Sequence, residues 1–197
     1  MGNAKDGFIR TSNRRDFSIQ PPRDTLLDDI KNSGKDVLGV GKIYDIFGGR
    51  GLTETFKTKS NSDGLLVVNQ LIDRVFDGLC FVNLVDFDSK YGHRNDVLGY
   101  TSALNEFDAW LGDAIKNFKD GDILMITADH GCDPSTPSTD HSREFVPLLV
   151  YGNNVVKGAN LGTRESFSDI GKTIAEAFGV DNLLDGKSFL NDITYKE

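Results

Sequence analysis

The chain has 197 residues, 38% of them hydrophobic and 26% charged, enough for one globular domain with a buried core. Its net charge of −8, from 22 basic against 30 acidic residues, excludes a general nucleic-acid surface but leaves room for a local basic pocket around a phosphate. No apolar run of about 18 residues is present and the N-terminus lacks an apolar secretory region, so the expectation is a cytoplasmic protein without a membrane span. Two cysteines are too few for a disulfide framework. Cys80 falls in an apolar run and reads as a buried thiol, while Cys132 follows His130-Gly131 and could approach a metal, although nothing else in the chain pairs with it.

Residues 1–20 are basic and polar, with Arg10, Arg14 and Arg15, and lead into Gln20-Pro21-Pro22, where the paired prolines suit a hinge. Asp24 or Thr25 can cap a short helix to Lys31 that Ser33-Gly34 ends. Asp36 to Tyr44 reads as a buried strand, Gly48 to Gly51 as a loop, and Gly64 to Phe76 as a helix with Leu66, Leu71, Ile72 and Val75 on its apolar stripe. The run Leu79 to Val85, apolar but for Asn83, predicts a strand covered on both faces. Leu104, Phe107, Leu111, Ala114, Ile115 and Phe118 recur at helical spacing, which predicts a helix over 99–118. Asp122 to Ala128 and Phe145 to Tyr151 read as further strands, and Ser168 caps a helix to Phe178 that Gly179 closes. This alternation implies an α/β sandwich with a largely parallel sheet flanked by helices.

All three histidines lie within 49 residues, each beside or near an aspartate: Asp88…His93, Asp129-His130 and Asp140-His141. Imidazole nitrogen and carboxylate oxygen are the ligands that Zn²⁺ or Mn²⁺ takes, so this clustering predicts a metal site. Ligands of α/β folds collect beyond the carboxyl ends of strands, where two adjacent strands would present Asp88 and the Asp129-His130 pair to one crevice. Gly92 and Gly131 would permit tight backbone turns beside His93 and His130. Asp86 and Asp88 share a face of an extended segment, and spacing alone does not separate them. Asp140 is suited to orient an imidazole. Gly39-Val-Gly41-Lys42 is a poor phosphate loop, because a Walker motif needs glycine where Asp36 stands and Ser or Thr where Ile43 stands.

Ile126-Thr-Ala-Asp-His-Gly131, with the segment Pro137 to Leu149, resembles the metal-binding region of the alkaline phosphatase superfamily. With Val85 to Arg94 it is most similar to the bacterial phosphopentomutases. Asp88 and His93 are five apart and His141 follows His130 by eleven, as in that family, whereas alkaline phosphatases and cofactor-independent phosphoglycerate mutases place Asp and His four apart. The resemblance implies an enzyme that interconverts ribose or deoxyribose 1-phosphate and 5-phosphate through a phosphothreonine and a sugar bisphosphate, using two Mn²⁺ ions. It implies that Asp88, His93 and His141 hold one ion and that Asp129 and His130 contribute to the other, and it favours Asp88 over Asp86. Arg10 and Lys42 align with the family's sugar-phosphate contacts, for which a guanidinium and an ammonium are apt.

Family members are about twice this long, and the resemblance is to their C-terminal half. It implies that residues 1–20 are the last piece of a cap domain with its hinge, and that residues 21–197 are the C-terminal part of the metal-binding core. The threonine nucleophile and one aspartate ligand would lie in the missing N-terminal half, as would several core strands, leaving an open sheet edge and exposed apolar surface. Alone, the chain is expected to bind one Mn²⁺ and to be inactive. The other classes compatible with the residues are a different metal-dependent phosphatase or phosphodiesterase, and a non-catalytic half that complements a separate N-terminal chain.

Overall fold

A computed structural model describes residues 2–3, 7–8 and 17–195. Arg10, and with it most of the expected cap remnant, lies outside the described residues. Gly2–Asn3 (β1) and Gly7–Phe8 (β2) form a short antiparallel pair. The next element is the helix Leu26–Asn32 (α1), capped by Thr25, whose backbone N–H and hydroxyl both donate to Asp28. Arg50 donates to the Pro21 carbonyl at 2.9 Å and to Asp28 at 3.2 Å, tying the diproline to α1.

Asp36–Val40 (β3) is the centre of a three-stranded parallel sheet, flanked by Glu54–Phe56 (β4) and Gly78–Val82 (β5). Its side chains alternate between two cores. Val37 packs with Leu27, Ile30, Ile43 and Leu52 under α1, while Leu38 and Val40 pack with Leu71 on the opposite face. Burial on both faces explains the apolar run Val37 to Val40 in β3.

The strand is shorter than expected. Gly41 adopts φ +79°, and a Cβ there would lie 2.3 Å from the Asn83 carbonyl, so the chain turns, and Ile43–Phe47 is a helix (α2). Lys42 thus precedes a helix at the carboxyl end of β3. The helix Asn61–Asp73 (α3), started by Ser60 accepting from the Asp63 N–H, covers the Leu38 face.

Val97–Ala114 (α4) precedes Leu124–Ile126 (β6), which pairs antiparallel with Leu149–Tyr151 (β7) in a separate sheet. The expectation of adjacent parallel strands carrying Asp88 and Asp129 is therefore corrected: among the described residues β5 and β6 fall in different sheets, each with one edge unpaired. An apolar groove of about 170 Å³ runs between α4 and this pair, lined by Leu111, Ile115, Leu124, Ile126, Leu149 and Tyr151. Open edges and this groove match the incomplete core expected of a half-length chain. Ser168–Phe178 (α5), closed by Gly179 in the left-handed region, and Leu190–Ile193 (α6) complete the fold around Phe189. Ser168 is the first residue of α5 rather than its cap. No helix among the described residues is long and apolar enough to cross a membrane.

Candidate metal centre

The chain leaves β5 through Asp86 into a π-helical turn, Phe87–Tyr91, followed by a 3₁₀ turn, Gly92–Arg94. This helical geometry separates the two candidate aspartates that an extended segment would have placed together. Asp86 turns to the start of α3, where its Oδ2 accepts from the Asn61 N–H at 3.0 Å and its own N–H donates to Asn61 Oδ1 at 2.9 Å. Asp88 turns to the histidines.

Its Oδ1 lies 3.1 Å from His141 Nε2 and 3.9 Å from His130 Nε2, and its Oδ2 lies 3.5 Å from His93 Nε2. The His130 and His141 rings stack with centroids 3.6 Å apart, and His93 stacks on His141 at 5.0 Å. Ligand atoms of Asp88, His130 and His141 all lie within 4.8 Å of one another. Asp129 is at the rim, its Oδ1 3.8 Å from His130 Nε2 and its side chain 76% exposed. Asp88 and the three histidines thus meet at the carboxyl ends of β5 and β6, with Asp129 outside them at the rim. Lys42 stands at the same end of the three-stranded sheet.

The hydrogen bonds around the rings fix what the site presents. His93 Nδ1 lies 2.6 Å from the Thr139 carbonyl and His130 Nδ1 2.9 Å from the Gly131 carbonyl. A carbonyl only accepts, so both Nδ1 atoms carry the proton and both Nε2 lone pairs face Asp88. Asp88 Oδ1 is itself buried and accepts no hydrogen bond among the described residues. The lone pairs of His93 and His130 and the Asp88 carboxylate therefore face one point, an arrangement that a divalent cation satisfies. The donor set, imidazole with carboxylate, suits Mn²⁺ or Zn²⁺.

Two expectations about the supports change. The His93 and His130 rings are oriented by backbone carbonyls, and among the described residues the Asp140 carboxylate accepts no hydrogen bond from a histidine. Neither Gly92 nor Gly131 needs a left-handed backbone. Their neighbours leave no room for a side chain: a Cβ on Gly92 would lie 2.3 Å from Cys132 Sγ, and one on Gly131 2.5 Å from the Ser142 carbonyl. Cys132 borders the site, where burial, with Asp88 and Asp133 nearby, pushes its thiol up, away from the thiolate a metal would need. Tyr100 borders it too; burial raises its phenol, with Cys132 and Asp88 adding to the shift. Sequence reading passed over Tyr100 and Asn95. The signal for Asn95 was its place just before a helix cap, since asparagine tolerates the left-handed region.

A family model described as the Metalloenzyme superfamily matches residues 35–182, and the chain belongs to that superfamily. Over 189 residues it is 56% identical to a phosphopentomutase of Lachnoclostridium phytofermentans, covering 96% of this chain and 48% of that protein. It is 54% identical to a phosphopentomutase of Clostridium novyi, covering 94% of this chain and 48% of the relative. With a Thermotoga maritima phosphopentomutase the identity is 55%, over 93% of this chain and 47% of the relative. The chain spans about half the length of the curated relatives it matches.

Proposed function

We propose that this chain is the metal-binding half of a phosphopentomutase, interconverting ribose or deoxyribose 1-phosphate and 5-phosphate once the remaining half is supplied. The observation that carries the reading is the convergence of Asp88 with three imidazole Nε2 atoms at 3.1, 3.5 and 3.9 Å, in a chain 52–56% identical to phosphopentomutases. In this reading Asp88, His93 and His141 hold one Mn²⁺, and Asp129 and His130 contribute to a second. His141 and His93 face the Asp88 carboxylate at 3.1 and 3.5 Å, nearer than His130 at 3.9 Å, which supports the first set. Two such ions would supply the charge that steadies the oxygens of a transferring phosphoryl group. Asp88 and the histidines hold and orient, while Lys42 and Arg10 bind the sugar phosphate. The threonine nucleophile and a further aspartate come from the other half, and the reaction takes place in the cytoplasm.

Titration calorimetry with Mn²⁺ on the wild type and His141→Ala, alongside an assay for ribose 5-phosphate formation, tests this. Expected are Mn²⁺ binding that His141→Ala abolishes, no turnover by the chain alone, and turnover when the N-terminal half of the L. phytofermentans relative is added. Turnover by the chain alone would show that it contains its own nucleophile. An absence of Mn²⁺ binding would remove the metal assignment.

A further inference from the structure

The turn that carries His93 also grips the loop that carries His141. Asn95 is the one non-glycine residue with positive φ among the described residues, at +52°. That conformation, closed by the Asn95 N–H on the Gly92 carbonyl at 3.0 Å, throws its side chain across to the loop between Gly131 and Ser142. There Nδ2 donates to the Thr136 carbonyl and, at 3.1 Å, to the Ser138 carbonyl. His93 Nδ1, two residues earlier, takes the next carbonyl, that of Thr139. Three carbonyls in the four residues 136–139 are thus held from a single turn, two positions before His141.

The base of the loop is fastened separately, by the Gly131–Ser142 bridge and by the Asp133 N–H on Ser142 Oγ at 2.8 Å. Its far side has no strand or helix to hold it. The amide can face only one way. Both partners are carbonyls, so an oxygen turned toward them would repel. The opposite end, Asn95 Oδ1, is buried without a partner among the described residues. An orphaned acceptor is unfavourable, and the two bonds of the clamp offset it.

We propose that Asn95 is a positioning residue for the metal centre, fixing His141 and the His93 tautomer against Asp88 by clamping the 136–139 segment. The proposal rests on the metal reading above. A ligand held by an unclamped loop must be ordered when the ion binds, which weakens binding without removing any donor.

The test compares the wild type with Asn95→Gly, which keeps the left-handed turn, and Asn95→Asp, which is isosteric but replaces the donor with an oxygen. Three quantities are measured: Tm in chelator, Mn²⁺ affinity by calorimetry, and the imidazole ¹⁵N signals of the metal-free protein. Expected for both variants are a cooperative unfolding transition, Mn²⁺ binding about 10- to 100-fold weaker, and loss of the protonated Nδ1 signature of His93. Wild-type affinity together with an unchanged His93 signature in a folded Asn95→Gly would overturn the proposal. If the wild type itself binds no Mn²⁺, the metal reading fails and the imidazole signals decide: a lost signature in the variants upholds the clamp, and an unchanged one refutes it.

Discussion

Replacing Asp88 by asparagine asks whether the site is assembled for a cation at the expense of stability. Without metal, the Asp88 carboxylate faces Nε2 atoms at 3.1, 3.5 and 3.9 Å, and its buried Oδ1 has no hydrogen-bond partner among the described residues. An amide is isosteric and brings a donor. The 3.1 Å separation from His141 Nε2 is already a hydrogen-bond length. One new bond contributes about 1 kcal/mol, and removing an unpaired buried acceptor about 1 kcal/mol more. In a chain of this size the sum of about 2 kcal/mol raises Tm by roughly 4–8 °C. Thermal unfolding followed by circular dichroism, in chelator and then in excess Mn²⁺, reads both sides of the exchange. Asp88→Asn is expected to melt above the wild type in chelator and to gain nothing from Mn²⁺, whereas the wild type is stabilised by the ion. A lower Tm for Asp88→Asn in chelator would refute the reasoning, because it would mean that the carboxylate is already well paired in the metal-free protein.

The remaining predictions concern the scaffold. Thr173 is fully buried, donates to the Asp169 carbonyl at 2.7 Å and accepts from the Phe189 N–H at 3.0 Å; Thr173→Val should lose about 2 kcal/mol by urea unfolding and Thr173→Ser less, and the reverse order would show that volume matters more than the hydroxyl. Asp169 and Asp28 respond to pH: burial raises each carboxyl, but bonds from the Lys187 N–H and Arg164, and from Thr25 and Arg50, outweigh it and hold both below the usual range. Their contribution is therefore complete above about pH 5 and is lost as pH falls through the lowered folded values, so the urea midpoint should drop between about pH 5 and pH 3, less steeply in Asp169→Asn. Burial pushes the Cys80 thiol up to about 11, so a thiol reagent at about pH 8 should reach it only on unfolding; labelling of the native chain at Cys80 would contradict its packing beside Leu38 and Val40.

Much was legible wherever a segment's own pattern states its burial. The helix ending at Phe178 with Gly179 beyond it, the apolar centre of β3 and the amphipathic α4 were all read from periodicity and end signals. Short elements were harder. β4, three residues long, and α6, four residues long, carry too few side chains to show a period and exist because the tertiary structure packs or pairs them. The strand expected to run to Tyr44 stops at Val40, because the close approach of Gly41 to the Asn83 carbonyl is a contact between distant parts of the chain.

For the site, the sequence by itself determined which chemistry was on offer: three imidazoles and their neighbouring carboxylates placed beyond apolar strands. The resemblance, not the spacing, singled out Asp88. Tertiary structure supplied the physical reason, since a π-helical turn sends Asp86 to Asn61 and Asp88 to the histidines. It also decided that carbonyls rather than Asp140 orient the His93 and His130 rings, that β6 pairs antiparallel with β7, and that Asn95 reaches across 41 and 43 residues to hold the His141 loop. Local pattern records which face of a segment is apolar, though not that the face is covered: Leu66, Val75 and Leu104 stay exposed. Which atoms meet is settled by backbone geometry and hydrogen bonds between segments far apart in the chain.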